Sequence, residues 1–124
     1  MRKSIKKSDR IKAYEKYNGH CAYCGKEIEY KEMRIDHMRP HREWVEALEE
    51  GTNIDDIENL NPSCYRCNHY KRSLNLEKFR KYMITIHERI VKDYIVKVGL
   101  DYGIVNITPF DGKFYYEKIE SEGE

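Results

Sequence analysis

The sequence predicts an α+β fold in a single domain, and three features of the 124-residue chain support it. Two C-x-x-C pairs, CAYC at 21–24 and CYRC at 64–67, mark two tight turns. Apolar residues recur at steps of three and four over residues 76–94, which is typical of a long amphipathic helix. Two β-rich runs flank Asp111-Gly112 and predict a terminal β-hairpin. A chain of this length builds one hydrophobic core, so we expect one domain.

The composition argues against a membrane protein. Charged residues make up 36% of the chain and hydrophobic residues 40%, with a mean hydropathy of -0.90. No apolar run approaches the roughly 18 residues that a membrane span needs. The basic stretch MRKSIKKSDR is not followed by an apolar segment, so it does not resemble a secretory signal. We expect a soluble, intracellular protein of the cytoplasm that has no membrane partner.

The charge is segregated along the chain although the net charge is only +1. Basic residues dominate 1–12 and 64–82, whereas 43–58 holds seven acids and no Lys or Arg. A basic face beside an acidic segment fits the binding of nucleic-acid phosphates. The alternative is that each charged run is simply a solvated face.

Four cysteines are expected to bind one structural zinc ion. They are Cys21, Cys24, Cys64 and Cys67. Two residues between cysteines let both thiolates of a pair face one tetrahedral ion, and Gly25 suits the tight turn that follows. The alternatives are disulfides or four unrelated core thiols. Four cysteine ligands leave no open coordination position, so this zinc is expected to be structural. It would tie residue 21 to residue 67, and the loop between the two cysteine pairs contains RIDHMRPHREW at 34–44.

The remaining elements of the first half follow from local signals. Ser8 is a plausible N-cap for a helix that Asn18-Gly19 ends. Residues 27–36 alternate in character and predict an extended segment or hairpin. The segment WVEALEEG predicts one or two helical turns, closed by Gly51.

The second half predicts a strand followed by two helices. Residues 59–63 are expected to be a short strand or turn, since Pro62 restricts the residue before it to extended geometry. A helix is expected from the second cysteine pair to about Arg72. A long helix, capped by Asn75, is then expected to end near Gly99.

Four motifs in this order resemble the HNH endonuclease family in its zinc-stapled form. They are CAYCG at 21–25, IDHMRP at 35–40, ENLNPSC at 58–64 and CNHYK at 67–71. The resemblance implies a ββα-metal, treble-clef-like core over about residues 10–82. It leaves a C-terminal helix and hairpin extension over about 75–119, within one HNH domain spanning 1–124.

The resemblance also implies residue roles. His37 corresponds to the general base, and Asp36 to the acid that binds the catalytic metal. Asn59 corresponds to the central asparagine, which holds the loop that bears the base. Asn68 occupies the third motif position, where many members have histidine, and is favoured as the second metal ligand. His69 lies one residue further, and one helical residue is a rotation of about 100°, so both cannot easily face one ion.

The chemistry of these side chains supports the same roles. Hydrolysis of a phosphodiester needs a nucleophilic water, a base and a cation that stabilises developing negative charge. An imidazole such as that of His37 can accept the proton of the water at neutral pH. Asp36 and Asn68 offer oxygen ligands suited to Mg²⁺ or Mn²⁺. Adjacent strand residues point to opposite faces, so the backbone must bend for Asp36 and His37 to share a site.

Five cationic or titratable side chains near the motifs are candidates for contacts with nucleic-acid phosphates. They are Arg39, His41, Arg66, Lys71 and Arg72. His41 has two further interpretations, as an aid to metal binding or as a simply exposed residue.

The leading hypothesis is a metal-dependent endonuclease that nicks or cuts DNA. Its compact form resembles small phage and mobile-element HNH proteins, which act in the host cell cytoplasm. The alternative is a zinc-stapled DNA- or partner-binding module without activity; the combined presence of Asp36, His37, Asn59 and Asn68 favours the enzyme. A third hypothesis, compatible with the first, is docking onto a larger phage or defence complex.

Overall fold

The computed structural model describes residues 5–122, which contain short helices and a two-stranded antiparallel sheet. The predicted α+β class is confirmed. The chain divides into two compact units, one formed by residues up to Leu76 together with those from Phe114 onward, the other by Glu77–Lys113. The expectation of a single domain stays a prediction. Over the described residues, no helix is long and apolar enough to cross a membrane.

The first helix, α1, spans Lys7–Lys16 and packs against the sheet through its buried residue Ala13. The predicted cap at Ser8 is wrong, because the N-cap is Lys6, two residues earlier, and its side chain makes no capping hydrogen bond. The predicted end is confirmed: Asn18 and Gly19 both adopt positive φ, at 53° and 77°. Such backbone is favoured at helix ends by glycine and asparagine.

Strand β1 (Arg34–His37) pairs with β2 (Leu60–Ser63), and Asp36 lies opposite Asn61. The predicted strand over 59–63 is confirmed. The segment 27–36 does not form a hairpin of its own, since a 3-10 turn at Tyr30–Glu32 precedes β1 and the strand finds its partner further along the chain. All four residues of β2 are buried, so this strand forms the centre of the core.

Two further helices of this unit agree with the sequence. Helix α2 spans Trp44–Glu49, and Gly51 follows it with a φ of 85°. Helix α3 spans Tyr65–Lys71 and contacts β1. Its N-cap, Cys64, accepts a hydrogen bond from the main-chain N–H of Cys67 at 3.3 Å, so the second cysteine pair is itself the start of the helix.

The predicted long helix is wrong. Three shorter helices take its place: α4 (Leu76–Ile84), α5 (Ile86–Ile90) and α6 (Tyr94–Asp101). The last of these has its own N-cap, because the Asp93 side chain accepts a hydrogen bond from the Ile95 N–H at 3.1 Å. The apolar residues keep their spacing of three and four across both breaks between the helices. This spacing alone does not reveal a capping residue at which one helix ends and the next begins.

The predicted terminal hairpin is also wrong. Asp111 and Gly112 do form a turn, in which the aspartate side chain accepts from the N–H of Lys113 at 3.0 Å. The chain then enters helix α7 (Tyr115–Glu122) instead of a second strand. This helix belongs to the first unit, where the N–H of Tyr116 donates to the carbonyl of Ala22 at 2.8 Å. The aromatic residues of this stretch pack on other aromatic rings: Phe114 and Tyr116 lie beside the ring of Tyr23, with centroids 5.3 and 6.3 Å away.

Candidate functional site

The four cysteines form a group of the size expected for one zinc ion. Their Sγ atoms all lie within 4.8 Å of one another, and those of Cys24 and Cys64 are 3.9 Å apart. Tetrahedral coordination with Zn–S bonds of about 2.3 Å places the sulfurs about 3.8 Å apart. All four are free thiols, with Cys21 and Cys64 buried, so the set fits a structural zinc and not a pair of disulfides.

Gly25 allows α7 to rest on the first cysteine pair. Its φ is +82°, and a Cβ built there would lie 2.6 Å from a ring carbon of Tyr115. Both the backbone conformation and the space therefore require glycine at this position. The expectation that Gly25 serves a tight turn is confirmed, and its contact with the C-terminal helix adds a second reason.

Asp36 is buried and neutralised within the protein. Its carboxylate, 4% exposed, accepts a hydrogen bond from the hydroxyl of Tyr23 and lies 3.2 Å from the Nζ atom of Lys71. Burial raises the pKa of the Asp36 carboxyl, while the charge of Lys71 and the hydrogen bond from Tyr23 oppose that rise. Burial likewise lowers the pKa of the Lys71 ammonium, against the attraction of Asp36.

Lys71 was expected to contact phosphate, but the structure places it in the interior. It is 0% exposed, and its ammonium also donates to the main-chain carbonyls of His37 and Leu74 at 3.2 and 2.8 Å. All three bonds lead to groups around the end of β1. In this arrangement Lys71 fixes the carboxylate of Asp36 and the backbone of His37 and does not face solvent.

His37 lies at the end of β1 and is 8% exposed. Its Nε2 atom is 2.7 Å from Oδ1 of Asp55, and the ring of His41 approaches it edge-on with centroids 5.4 Å apart. Sequence reasoning did not single out Asp55. It is one of seven acids in the segment 43–58, and no local spacing distinguishes it from the other six.

Asn59 connects the two loops that carry His37 and Asp55. Its Oδ1 accepts from the N–H of Arg39 at 2.8 Å, and its Nδ2 donates to the carbonyls of Arg39 and Ile54 at 3.1 and 2.8 Å. These bonds hold the segment directly after His37 beside the segment directly before Asp55. The role of Asn59 in holding the loop that bears a catalytic base stays a prediction.

Asn68 and His69 have different surroundings on α3. Asn68 is half-buried and precedes Lys71 by three residues, so the two share one face of the helix. His69 is exposed, and its ring stacks on that of Tyr65 with centroids 5.8 Å apart. Asn68 therefore shares a helix face with Lys71, and its assignment as the second metal ligand stays a prediction.

The other cationic candidates divide into two kinds. Arg66 and Arg72 are exposed on or next to α3, and His41 is partly exposed. Arg39 instead contacts the acidic segment, with distances of 3.0 Å to Glu43 and 2.6 Å to Glu50. The hydrogen bonds to these two acids raise the pKa of Arg39, and Arg39 in turn lowers the pKa of the Glu50 carboxyl.

The oxygen atoms of Asp36 and Asn68 are of the type that a hard divalent ion prefers, but the charge of Lys71 opposes binding of a cation at Asp36. Both residues offer oxygen atoms, and a carboxylate has about four acceptor positions, more than Tyr23 and Lys71 occupy. The Lys71 ammonium lies 3.2 Å from the carboxylate, and a like charge at that distance weakens binding of a cation. Such a site would need phosphate oxygens and water to complete its coordination.

Comparison with known proteins agrees with the motif reading. Residues 21–73 match the family described as HNH endonuclease. This span contains both cysteine pairs, both strands and α3. The family recognised from the four motifs is confirmed for this part of the chain. No curated protein and no solved structure matches the chain.

Proposed function

We propose that this chain, which carries an HNH endonuclease domain over residues 21–73, hydrolyses phosphodiester bonds of DNA as a metal-dependent endonuclease. The observation that carries the proposal is the position of Asn59. Its amide makes two hydrogen bonds to the main chain of Arg39 and one to Ile54. These bonds fix the segment that follows His37, and a general base reacts efficiently only when its imidazole is held in one orientation.

In the proposed reaction His37 is the general base and accepts a proton from the attacking water. Asp36 and Asn68 would hold Mg²⁺ or Mn²⁺, and the ion would supply positive charge that stabilises the negative charge developing on the phosphate during hydrolysis. Asn59 positions the loop. Lys71 keeps the Asp36 carboxylate in one orientation through an ion pair that is buried on both sides.

DNA is the proposed partner, and the exposed Arg66 and Arg72 beside the motif are the proposed phosphate contacts. His41, near the ring of His37, is a further candidate. We further propose a role like that of phage or mobile-element HNH proteins, in the host cytoplasm and within a larger phage or defence complex. Both nicking and double-strand cleavage fit this proposal.

The alternative is a zinc-stapled DNA- or partner-binding module without activity. One observation favours it: the ammonium of Lys71 neutralises Asp36, as expected for a purely structural buried pair. In that case Asp36 needs no metal, and the zinc group alone accounts for the fold.

Nicking of supercoiled plasmid DNA separates the two. Zinc-loaded protein is incubated with Mg²⁺, with Mn²⁺ and without either, beside His37→Ala and Asn68→Ala. We expect metal-dependent nicking by the wild type, and its loss in both variants while they keep their zinc. His69→Ala is the matched control and should cut like the wild type, since its side chain is exposed and stacks on Tyr65. Binding of DNA without cutting under any metal would refute the nuclease proposal and favour the module.

A further inference from the structure

A carboxylate outside the predicted site residues contacts the proposed base. Oδ1 of Asp55 is 2.7 Å from Nε2 of His37, and the two side chains are 37% and 7% exposed. The imidazole is therefore buried while the acid lies at the surface. This pair is short and its imidazole is buried, so it differs from a loose surface ion pair, in which both groups are solvated.

The loop that carries Asp55 is held in place independently of this contact. The N–H of Asp55 donates to Oδ1 of Asn53 at 2.9 Å, and the carbonyl of Ile54 accepts from Asn59 at 2.8 Å. Ile54 itself is 5% exposed and anchors the loop in the core. Asp55 is thus presented to His37 by a structured turn and does not reach it by chance from a mobile side chain.

A carboxylate can only accept a hydrogen bond, so the contact selects one form of the neutral imidazole. The ring must carry its hydrogen on Nε2, which leaves the lone pair on Nδ1. Two other groups lie beside His37: the ring of His41 is inclined at 78° to the ring of His37, and Lys71 donates to the main-chain carbonyl of His37.

We propose that Asp55 is a positioning residue that holds His37 in the Nε2–H form, so that Nδ1 is the atom that takes the proton of the attacking water. The inference rests on the proposed nuclease function for its role in catalysis. It explains why an acid from the segment 43–58 lies directly against the histidine of the motif. The water loses its proton to Nδ1, and Asp55 stabilises the imidazolium that results without accepting the proton itself.

The test combines a spectroscopic readout with kinetics. Zinc-loaded protein with ¹⁵N-labelled histidine is studied by NMR at alkaline pH, where proton–nitrogen correlations distinguish the two neutral forms of His37. The variant Asp55→Asn is nearly isosteric, but its amide can either accept from Nε2–H or donate to Nε2, so it no longer selects one form. Asp56→Asn is the matched control, because it removes the same charge from the neighbouring position.

We expect the Nε2–H form in the wild type and in Asp56→Asn, and a mixture of forms in Asp55→Asn. We also expect Asp55→Asn to lower kcat by about 10²-fold with little change in KM, within the roughly 10²–10⁴-fold that a general base contributes. Asp56→Asn should retain the wild-type kcat. A purely structural role for Asp55 would change stability without changing the ratio of the two imidazole forms.

Two results overturn the inference: an Nδ1–H form of His37 in the wild type, or unchanged imidazole forms and unchanged kcat in Asp55→Asn. The NMR measurement needs neither DNA nor a catalytic ion. If the wild type shows the Nε2–H form but cuts no DNA, the nuclease proposal fails and the catalytic part of this inference fails with it. If the wild type cuts and Asp55→Asn cuts equally well, this inference fails alone.

Discussion

Replacing Lys71 by methionine tests the buried ion pair directly. Methionine fills most of the volume of the lysine stem but removes the ammonium. The Asp36 carboxylate, 4% exposed, then keeps only the hydrogen bond from Tyr23, and the main-chain carbonyls of His37 and Leu74 lose their donor. We expect a loss in the free energy of unfolding of about 3–5 kcal/mol, the usual range when one partner of a buried pair is removed.

The assay is urea denaturation with zinc in excess in every sample, so that the zinc contribution is the same for each variant. The double variant Asp36→Asn with Lys71→Met carries no unpaired charge and should recover part of the lost free energy. Lys12→Met, an exposed substitution on α1, should stay within about 0.5 kcal/mol of the wild type. A loss below about 1 kcal/mol for Lys71→Met would refute the view that this lysine neutralises Asp36 in the interior.

Two further predictions follow from glycine geometry and from the acidic segment. Gly25→Ala should destabilise the protein more than Gly51→Ala in the same urea assay. Both glycines have positive φ, at 82° and 85°, and this conformation disfavours alanine by about 1–2 kcal/mol at each position. A Cβ at Gly25 would also lie 2.6 Å from the ring of Tyr115, whereas a Cβ at Gly51 meets no atom within 4 Å. Equal losses would contradict the close approach of α7. Glu50→Gln should remove one of the two carboxylates that contact Arg39, whose Nη1 lies 2.6 Å from Glu50, and leave the contact with Glu43 at 3.0 Å. We expect the less neutralised Arg39 to strengthen DNA binding and to steepen its salt dependence by at most about one unit. Fluorescence anisotropy at several salt concentrations measures this, with the exposed Glu49→Gln as control; identical slopes for the two variants would contradict a role of Glu50 in neutralising Arg39.

The parts of the fold and site that depend on local residue spacing could be predicted from the sequence. Two residues between cysteines, and Pro62 within a buried strand, are local signals, and the elements they predicted are present. The break before α6 was also readable in principle, because Asp93 is a good N-cap residue, but the apolar period concealed it. Period and capping are independent signals, and a capping residue inside a periodic stretch separates two short helices from one long helix.

The contacts inside the site were not readable in the same way. Lysine is rarely buried unless paired, so the sequence alone predicts that Lys71 is a surface cation. Its burial depends on Asp36, 35 residues earlier in the chain. The contact between His37 and Asp55 spans 18 residues and requires a turn whose position is set by Asn59. Such pairings follow from the folded arrangement of several segments and not from the residue types of any one of them.

The return of α7 to the first unit has a consequence for the order in which the protein forms. Residues 77–113 are inserted between the cysteine-bearing part of that unit and the helix that covers it. During synthesis both cysteine pairs leave the ribosome before Tyr115 and Tyr116, whose main-chain N–H groups bond to Tyr23 and Ala22. The four thiols are thus available to a metal ion before Tyr115 and Tyr116 have been synthesised. The first unit is completed only after the whole second unit has been made.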